Sequence, residues 1–457
     1  MISQEQALAT AEGWLNPEGQ QRREVRIQEF DLGWVVWAAA PPLERDPATG
    51  KRRPPATIGH SCGVVDRSTG ELSTWPSVPV EEVVRMYQQK HGGGQDTEPY
   101  AGGQDTEPHG DGQGTAPPAQ PPVTGPGNTA VFTYVDPGTG EETSLVKNSA
   151  PGEPHSEYQV MVELDRLGVP AQNVIAIHVD LSSSPLPGGY PGLLLGRRFA
   201  NAKFTCTQEY GLRGEGRAEA VAALIEHVEQ MHRIAGQQPP PRPHRAPVPT
   251  DVEPAEPLRD VALGRELTEA FGADDVRRYD ADDVAGTPLP EATKATLTWA
   301  GLPSDIPFFF TADNTEAGLP GGLFGNAAAH LRAVGSQAGA DALAFLEGHV
   351  RIGTDGVALI TVQCTGSDLD GEPVGQVWAV TPDNGAGRRV NASVSAFARS
   401  LALLHTTREE MIALDPVMAG SAVADFQEQL VAIDASALDD PRNWWSVIVE
   451  QMWHGLF

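Results

Sequence analysis

The chain has 457 residues, 40% of them hydrophobic, with 39 prolines, 49 glycines and a formal net charge of -29. That length exceeds one ordinary core and predicts two to four domains. An acidic surface repels phosphate backbones, so general nucleic-acid binding is not expected, and a basic protein is the partner that charge would steer.

Three cysteines, Cys62, Cys206 and Cys364, are too few and too scattered for a disulfide framework or a zinc knuckle. The first residues show no basic region followed by an apolar core. No stretch approaches the roughly 18 apolar residues of a membrane span. The expectation is a reduced, cytoplasmic protein without membrane contact.

Residues 1–90 read as a small α+β domain. Ser3 can cap a helix carrying Ala7, Ala11 and Trp14. Strands are expected at 25–28, at Phe30–Trp37 with its Gly33-Trp34-Val35-Val36-Trp37 run, and at 61–66. Residues 68–71 form a turn, and a closing helix is expected at 79–88. Trp34 and Trp37, three apart on a strand, point to opposite faces. The Trp-bearing strand, Val65 to Glu71, then Trp75-Pro76-Ser77 and a helix together resemble the small YrhB-like domains of bacterial immunity proteins.

Residues 91–125 are rich in Gly, Pro, Gln and Asp. They hold a near-repeat, Gly93-Gly94-Gln95-Asp96-Thr97-Glu98-Pro99 against Gly102-Gly103-Gln104-Asp105-Thr106-Glu107-Pro108. With almost nothing apolar to bury, this stretch reads as a disordered linker.

In residues 126–236, strands are expected at 131–135, 142–147, 174–179 and 202–210, with helices at 155–167 and 217–234. His155-Ser156-Glu157 opens the first helix. About twenty residues on come Asp180-Leu181-Ser182-Ser183-Ser184 and Gly188-Gly189-Tyr190-Pro191. A zinc nucleobase deaminase needs one His and two Cys ligands, plus a Glu that shuttles protons. The stretch resembles the deaminases of bacterial polymorphic toxins, with a deaminase-like α/β/α fold. The resemblance sets His155 at the ligand His and Glu157 at the proton-shuttling Glu. It sets Ser184 and Pro191 where the ligand cysteines would stand. A serine hydroxyl is a poor zinc ligand and proline has no donor atom, so a decayed site with no metal and no cofactor is expected. Cys206 remains open as a rescue ligand, although a lone mid-strand Cys is usually a small buried hydrophobe. Asp180 as a ligand, or a Cys206 pair with His178 or His155, would be weaker arrangements.

Residues 237–257, with Pro239-Pro240-Pro241-Arg242-Pro243, read as an exposed, semi-rigid spacer. Residues 258–457 read as an α+β domain, a curved sheet flanked by helices. Helices are expected at 258–271, 290–301, 393–405, 422–433 and 444–453. Candidate strands lie at 276–279, 345–346, 350–353, 356–361 and 376–381, and Phe308-Phe309-Phe310 suits a buried strand or a strand end. Leu302-Pro303 after a helix, Ile352-Gly353 before Val357-Ala358-Leu359-Ile360, and a late helix from Ser393 resemble the SUKH superfamily of immunity proteins. That resemblance implies partner-protein binding and no catalysis. Trp378 and Cys364 read as structural and Asp368 as a turn residue. Trp444, Trp445 and Trp453 suit either tail docking or an exposed contact.

The sequence therefore predicts an α+β multidomain chain that acts as an immunity-like or regulatory protein-binding protein of a bacterial toxin or conflict system, with a basic toxin as partner. An active zinc deaminase using His155, Glu157 and Cys206 is the alternative, and a signalling adaptor without a toxin partner is a second.

Overall fold

The computed structural model describes residues 2–16, 25–38, 62–75, 83, 84, 87, 121–366 and 374–457. Most of the expected first linker and of the helix at 79–88, and Asp368, lie outside the described residues. The chain divides into two compact units, Met1–Thr115 and Ala116–Phe457. Its architecture is multidomain α+β.

In the first unit, helix α1 (Gln4–Leu15) begins at a capping box in which Ser3 and Gln6 exchange side-chain to backbone hydrogen bonds. Strands β1 (Val25–Phe30), β2 (Gly33–Ala38), β3 (Cys62–Asp66) and β4 (Leu72–Trp75) form an antiparallel meander in that order. The two tryptophans of β2 do face opposite sides. Trp34 packs with Ala7 and Ala11 of α1, whereas Trp37 packs with Val83 and Tyr87.

The second unit starts with a four-stranded sheet of order β6-β5-β7-β8, made of β5 (Thr129–Val135), β6 (Glu142–Asn148), β7 (Val174–Leu181) and β8 (Lys203–Gln208). β5 alternates half-buried and buried residues, the pattern of a strand with one face on a core. β7 and β8 are parallel, so the chain must cross over between them. The crossover contains helix α3 (Pro191–Arg198); helices α2 (Ser156–Arg166) and α4 (Gly214–Ile234) complete this part. α3 was not expected. Proline as its first residue and Leu195 fully buried are its signature.

A two-stranded pair, β9 (Val276–Arg277) with β10 (Leu302–Pro303), and a six-stranded antiparallel sheet in sequence order follow, the latter built from β11 (Asp305–Ile306), β12 (Phe310–Ala312), β13 (His349–Thr354), β14 (Leu359–Gln363), β15 (Val377–Val380) and β16 (Gly387–Asn391). Residues 345–346, expected as a strand, end a helix at Ala340–Leu346 instead, because a two-residue apolar run has no period to read. The triple phenylalanine is a strand end, since Phe310 opens β12 and Phe308 is left-handed at φ 75°. Helices Val394–Met411 and Pro416–Ile433 precede the last helix, Trp444–Trp453, which is buried nearly all round. Trp444, Trp445 and Trp453 are thus core residues.

One hydrophobic core joins both parts of this unit. Leu181, Tyr210, Val221 and Leu224 pack in the same cluster as Leu263, Phe309, Phe426 and Trp453. The proline-rich stretch at 237–257 is mostly exposed, yet it is no free spacer. His244 exchanges backbone hydrogen bonds with Val123, Ala255 N donates to Ala432 O at 2.7 Å, and Pro247 O accepts from Gln427 Nε2 at 3.4 Å. Prolines leave carbonyl oxygens free to accept even though they cannot donate, so such a strand can be strapped down.

Candidate functional site

The residues singled out in the sequence meet at the start of α2 and the end of β7. His155 is the residue just before α2, at φ -46° and ψ 144°, and its side chain makes no capping hydrogen bond to the helix. Its Nε2 lies 2.9 Å from Gly188 O. That carbonyl selects the tautomer with the proton on Nε2. Burial pushes the imidazole pKa down, against the pull of nearby Glu157, so the ring is neutral at neutral pH.

Glu157 is 1% exposed and spends its carboxylate on protein donors. Ser183 Oγ donates at 2.7 Å, Ser156 Oγ at 3.2 Å and Asn128 Nδ2 at 3.4 Å. Asn128 in turn accepts from Leu181 N at 2.9 Å, which ties the start of β5 to the end of β7. Asp180 is also engaged, accepting from Thr129 N at 3.2 Å.

Ser184 is buried, its Oγ accepting from Leu186 N at 3.2 Å and its carbonyl from Gly192 N at 2.9 Å. Pro191 is the first residue of α3 and follows Tyr190, held left-handed at φ 52°. The deaminase pattern of a proline followed by two ligands three residues apart would fall here on Gly192 and Leu195. Neither has a donor, and a Cβ at Gly192 would run into Ser183 O. Whichever pair is set opposite the imidazole, no thiolate is present.

The possible rescue ligands are elsewhere. Cys206 pairs in register with Val179 and packs against the core of this sheet. His178 pairs with Thr205, its Nδ1 2.9 Å from that hydroxyl, and so faces the other side from Cys206. Among the described residues, no three His, Cys, Asp or Glu side chains are grouped so that they could hold a metal ion. The donor set does not fit a catalytic zinc.

The centre is closed by residues from the end of the chain: of the two expectations for the late tryptophans the structure shows tail docking, at a place the sequence did not indicate. The Phe457 ring stands edge-on to His155, centroids 4.9 Å apart. Gln451 Nε2 donates to Pro187 O at 2.6 Å. Ser149 Oγ donates to Gly455 O at 2.6 Å, and Gly125 N and Gly127 N donate to Trp453 O and His454 O at 2.9 Å each. The Tyr190 hydroxyl donates to Asp355 Oδ2 at 2.7 Å, and Trp444 Nε1 donates to the same oxygen at 2.9 Å. The tryptophans of the largely apolar final helix, followed by Leu456-Phe457, were the signal of such docking.

Comparison with known families bears out the three resemblances. The model of an Immunity protein 35-like domain matches residues 5–93. That of a Xanthomonas-like deaminase matches residues 125–227, and that of a SUKH-4 immunity protein matches residues 262–451. No curated protein and no solved structure matches the chain. The chain therefore joins two immunity-type domains, one Imm35-like and one SUKH-4, through a deaminase-like domain whose centre lacks the metal-binding cysteines.

Proposed function

We propose that this protein works by binding another protein in a bacterial toxin–immunity system, and that its deaminase-like domain is a non-catalytic scaffold. The observation that carries this reading is the state of the centre. His155, Glu157 and Ser184 are buried and committed to protein hydrogen bonds, and in the sequence they fall between two immunity-type domains. Without a metal-bound water, Glu157 has nothing to activate. The site residues we assign are His155 and Glu157 as vestiges, and Ser184 and Pro191 as the positions of the lost ligands. We place the domains at 1–90, 126–236 and 258–457.

The partner we favour is a basic toxin met in the cytoplasm, because the net charge of -29 steers cations and repels nucleic acid. Among the described residues no helix is long and apolar enough to cross a membrane. The test is affinity capture of the tagged chain from its native host, followed by a growth assay. A basic protein should be recovered, its capture should weaken with salt, and expression of this chain should relieve its toxicity. Recovery of nucleic acid at physiological salt, or a captured protein whose toxicity is unchanged, would refute the reading.

A further inference from the structure

The groups that close the deaminase-like centre come from the SUKH-4 match at 262–451 and the six residues after it, taken together here as the SUKH-4 domain. Asp355, in the β13–β14 turn, is 3% exposed and accepts four hydrogen bonds. Val357 N at 3.1 Å, Ala358 N at 2.6 Å and Trp444 Nε1 at 2.9 Å come from its own domain. The fourth, from the Tyr190 hydroxyl at 2.7 Å, crosses from the loop before α3. A buried carboxylate needs its full set of donors, so this tyrosine completes Asp355.

On the other side of the same loop, Gln451 holds Pro187 O, and Phe457 lies against Gly188 where a Cβ would stand 3.1 Å from the ring. Phe457 is 1% exposed, wedged between His155 and Phe309. A Gly, a Tyr with a hydroxyl and a free carbonyl are thus each matched by a SUKH-4 group of complementary chemistry.

We propose that the loop Ser184–Tyr190 is the recognition element by which the SUKH-4 domain binds the deaminase-like domain of its own chain. The two form a built-in complex, and the SUKH-4 face made by Asp355, Trp444, Gln451 and Phe457 is already taken. This holds whether or not a toxin partner exists, so failure to find a toxin would leave it standing.

The test uses the full chain with a protease site inserted between Thr250 and Asp251, in the exposed strap. After cleavage the two fragments should co-elute on gel filtration and stay together on dilution to low micromolar. Asp355→Ala with Phe457→Ala should raise the dissociation constant of the cut pair by at least about 100-fold, and Tyr190→Phe alone by roughly 5-fold or more. Hydrogen exchange on the uncut wild type covers the case of a variant that fails to fold: residues 184–190 and 444–457 should open together, with the same protection. Wild-type fragments that separate at micromolar concentration, variants that bind as tightly as wild type, or a loop that exchanges long before the last helix would each overturn the proposal.

Discussion

Arg217, in the first turn of α4, buries its guanidinium against Glu450 of the last helix, Nε to Oε2 2.9 Å, with Nη2 reaching the same oxygen. The side chains are 5% and 14% exposed, and Arg217 Nη1 also donates to Leu212 O at 2.6 Å. Breaking such a pair strands a buried charge. Glu450→Ala should lose about 3 kcal/mol or more by urea denaturation, whereas the double change Arg217→Met with Glu450→Leu should recover most of it. A single variant with an unchanged midpoint would show the pair to be solvated in solution.

Two glycines with left-handed backbones make a controlled comparison. Gly168, at φ 66°, ends α2 with open space around it, while Gly188, at φ 100°, faces Phe457 and Gln451 Nε2. Gly168→Ala should cost about 1 kcal/mol from backbone strain alone. Gly188→Ala should cost roughly 2–4 kcal/mol, because the seal must also shift. Equal losses in thermal melts would mean that Phe457 does not press on this loop.

Acid should loosen the second unit. Burial holds His454 at a pKa of about 3 and His349 at about 4, both below the ordinary value. A depressed histidine adds stability that is complete above the unfolded pKa near 6.5 and is lost as pH falls toward the folded one. At pH 5.5 each should forfeit about 1.4 kcal/mol. Burial raises Asp313 to about 6 despite the Arg351 guanidinium 2.9 Å away, so its protonation below pH 6 offsets part of that loss. His454→Gln, whose amide can also hydrogen-bond the Tyr210 hydroxyl, should flatten the decline in melting temperature between pH 7.5 and 5.5. A wild-type melting temperature that rises over that interval would contradict this account.

Purified protein should carry well under one zinc per chain and leave cytidine and adenosine unchanged. Ser184→Cys with Pro191→Cys should not restore a site, because residue 184 is fixed by Leu186 and Gly192 and residue 191 by the start of α3. Elemental mass spectrometry on unchelated protein decides this. Stoichiometric zinc in the wild type that disappears in His155→Ala would restore the enzyme reading.

Much of this was legible in the sequence. Alternation in β5, the helix start at His155 and the Ser3 cap are local signals carried by neighbouring residues. β16 was missed because Gly-Arg-Arg-Val-Asn is too polar to read as a strand; it forms by pairing with β15. α3 was missed because Gly188-Gly189-Tyr190-Pro191 was read as the end of the ligand motif, and the eight residues from Pro191 are too few to show a helical period. The contacts of Tyr190 with Asp355 and His155 with Phe457 carry no period and no motif. They join residues remote in sequence, so only the packed chain displays them.

That remoteness has a consequence for biosynthesis. Gln451 leaves the ribosome 264 residues after Pro187, whose carbonyl it holds. At ordinary elongation speeds the interval is on the order of 10 to 50 s. Throughout it, the ring that packs edge-on against His155 has yet to be made. Slowed translation should therefore lengthen the time for which the deaminase-like part stands without the contacts of Gln451 and Phe457, and should raise its aggregation.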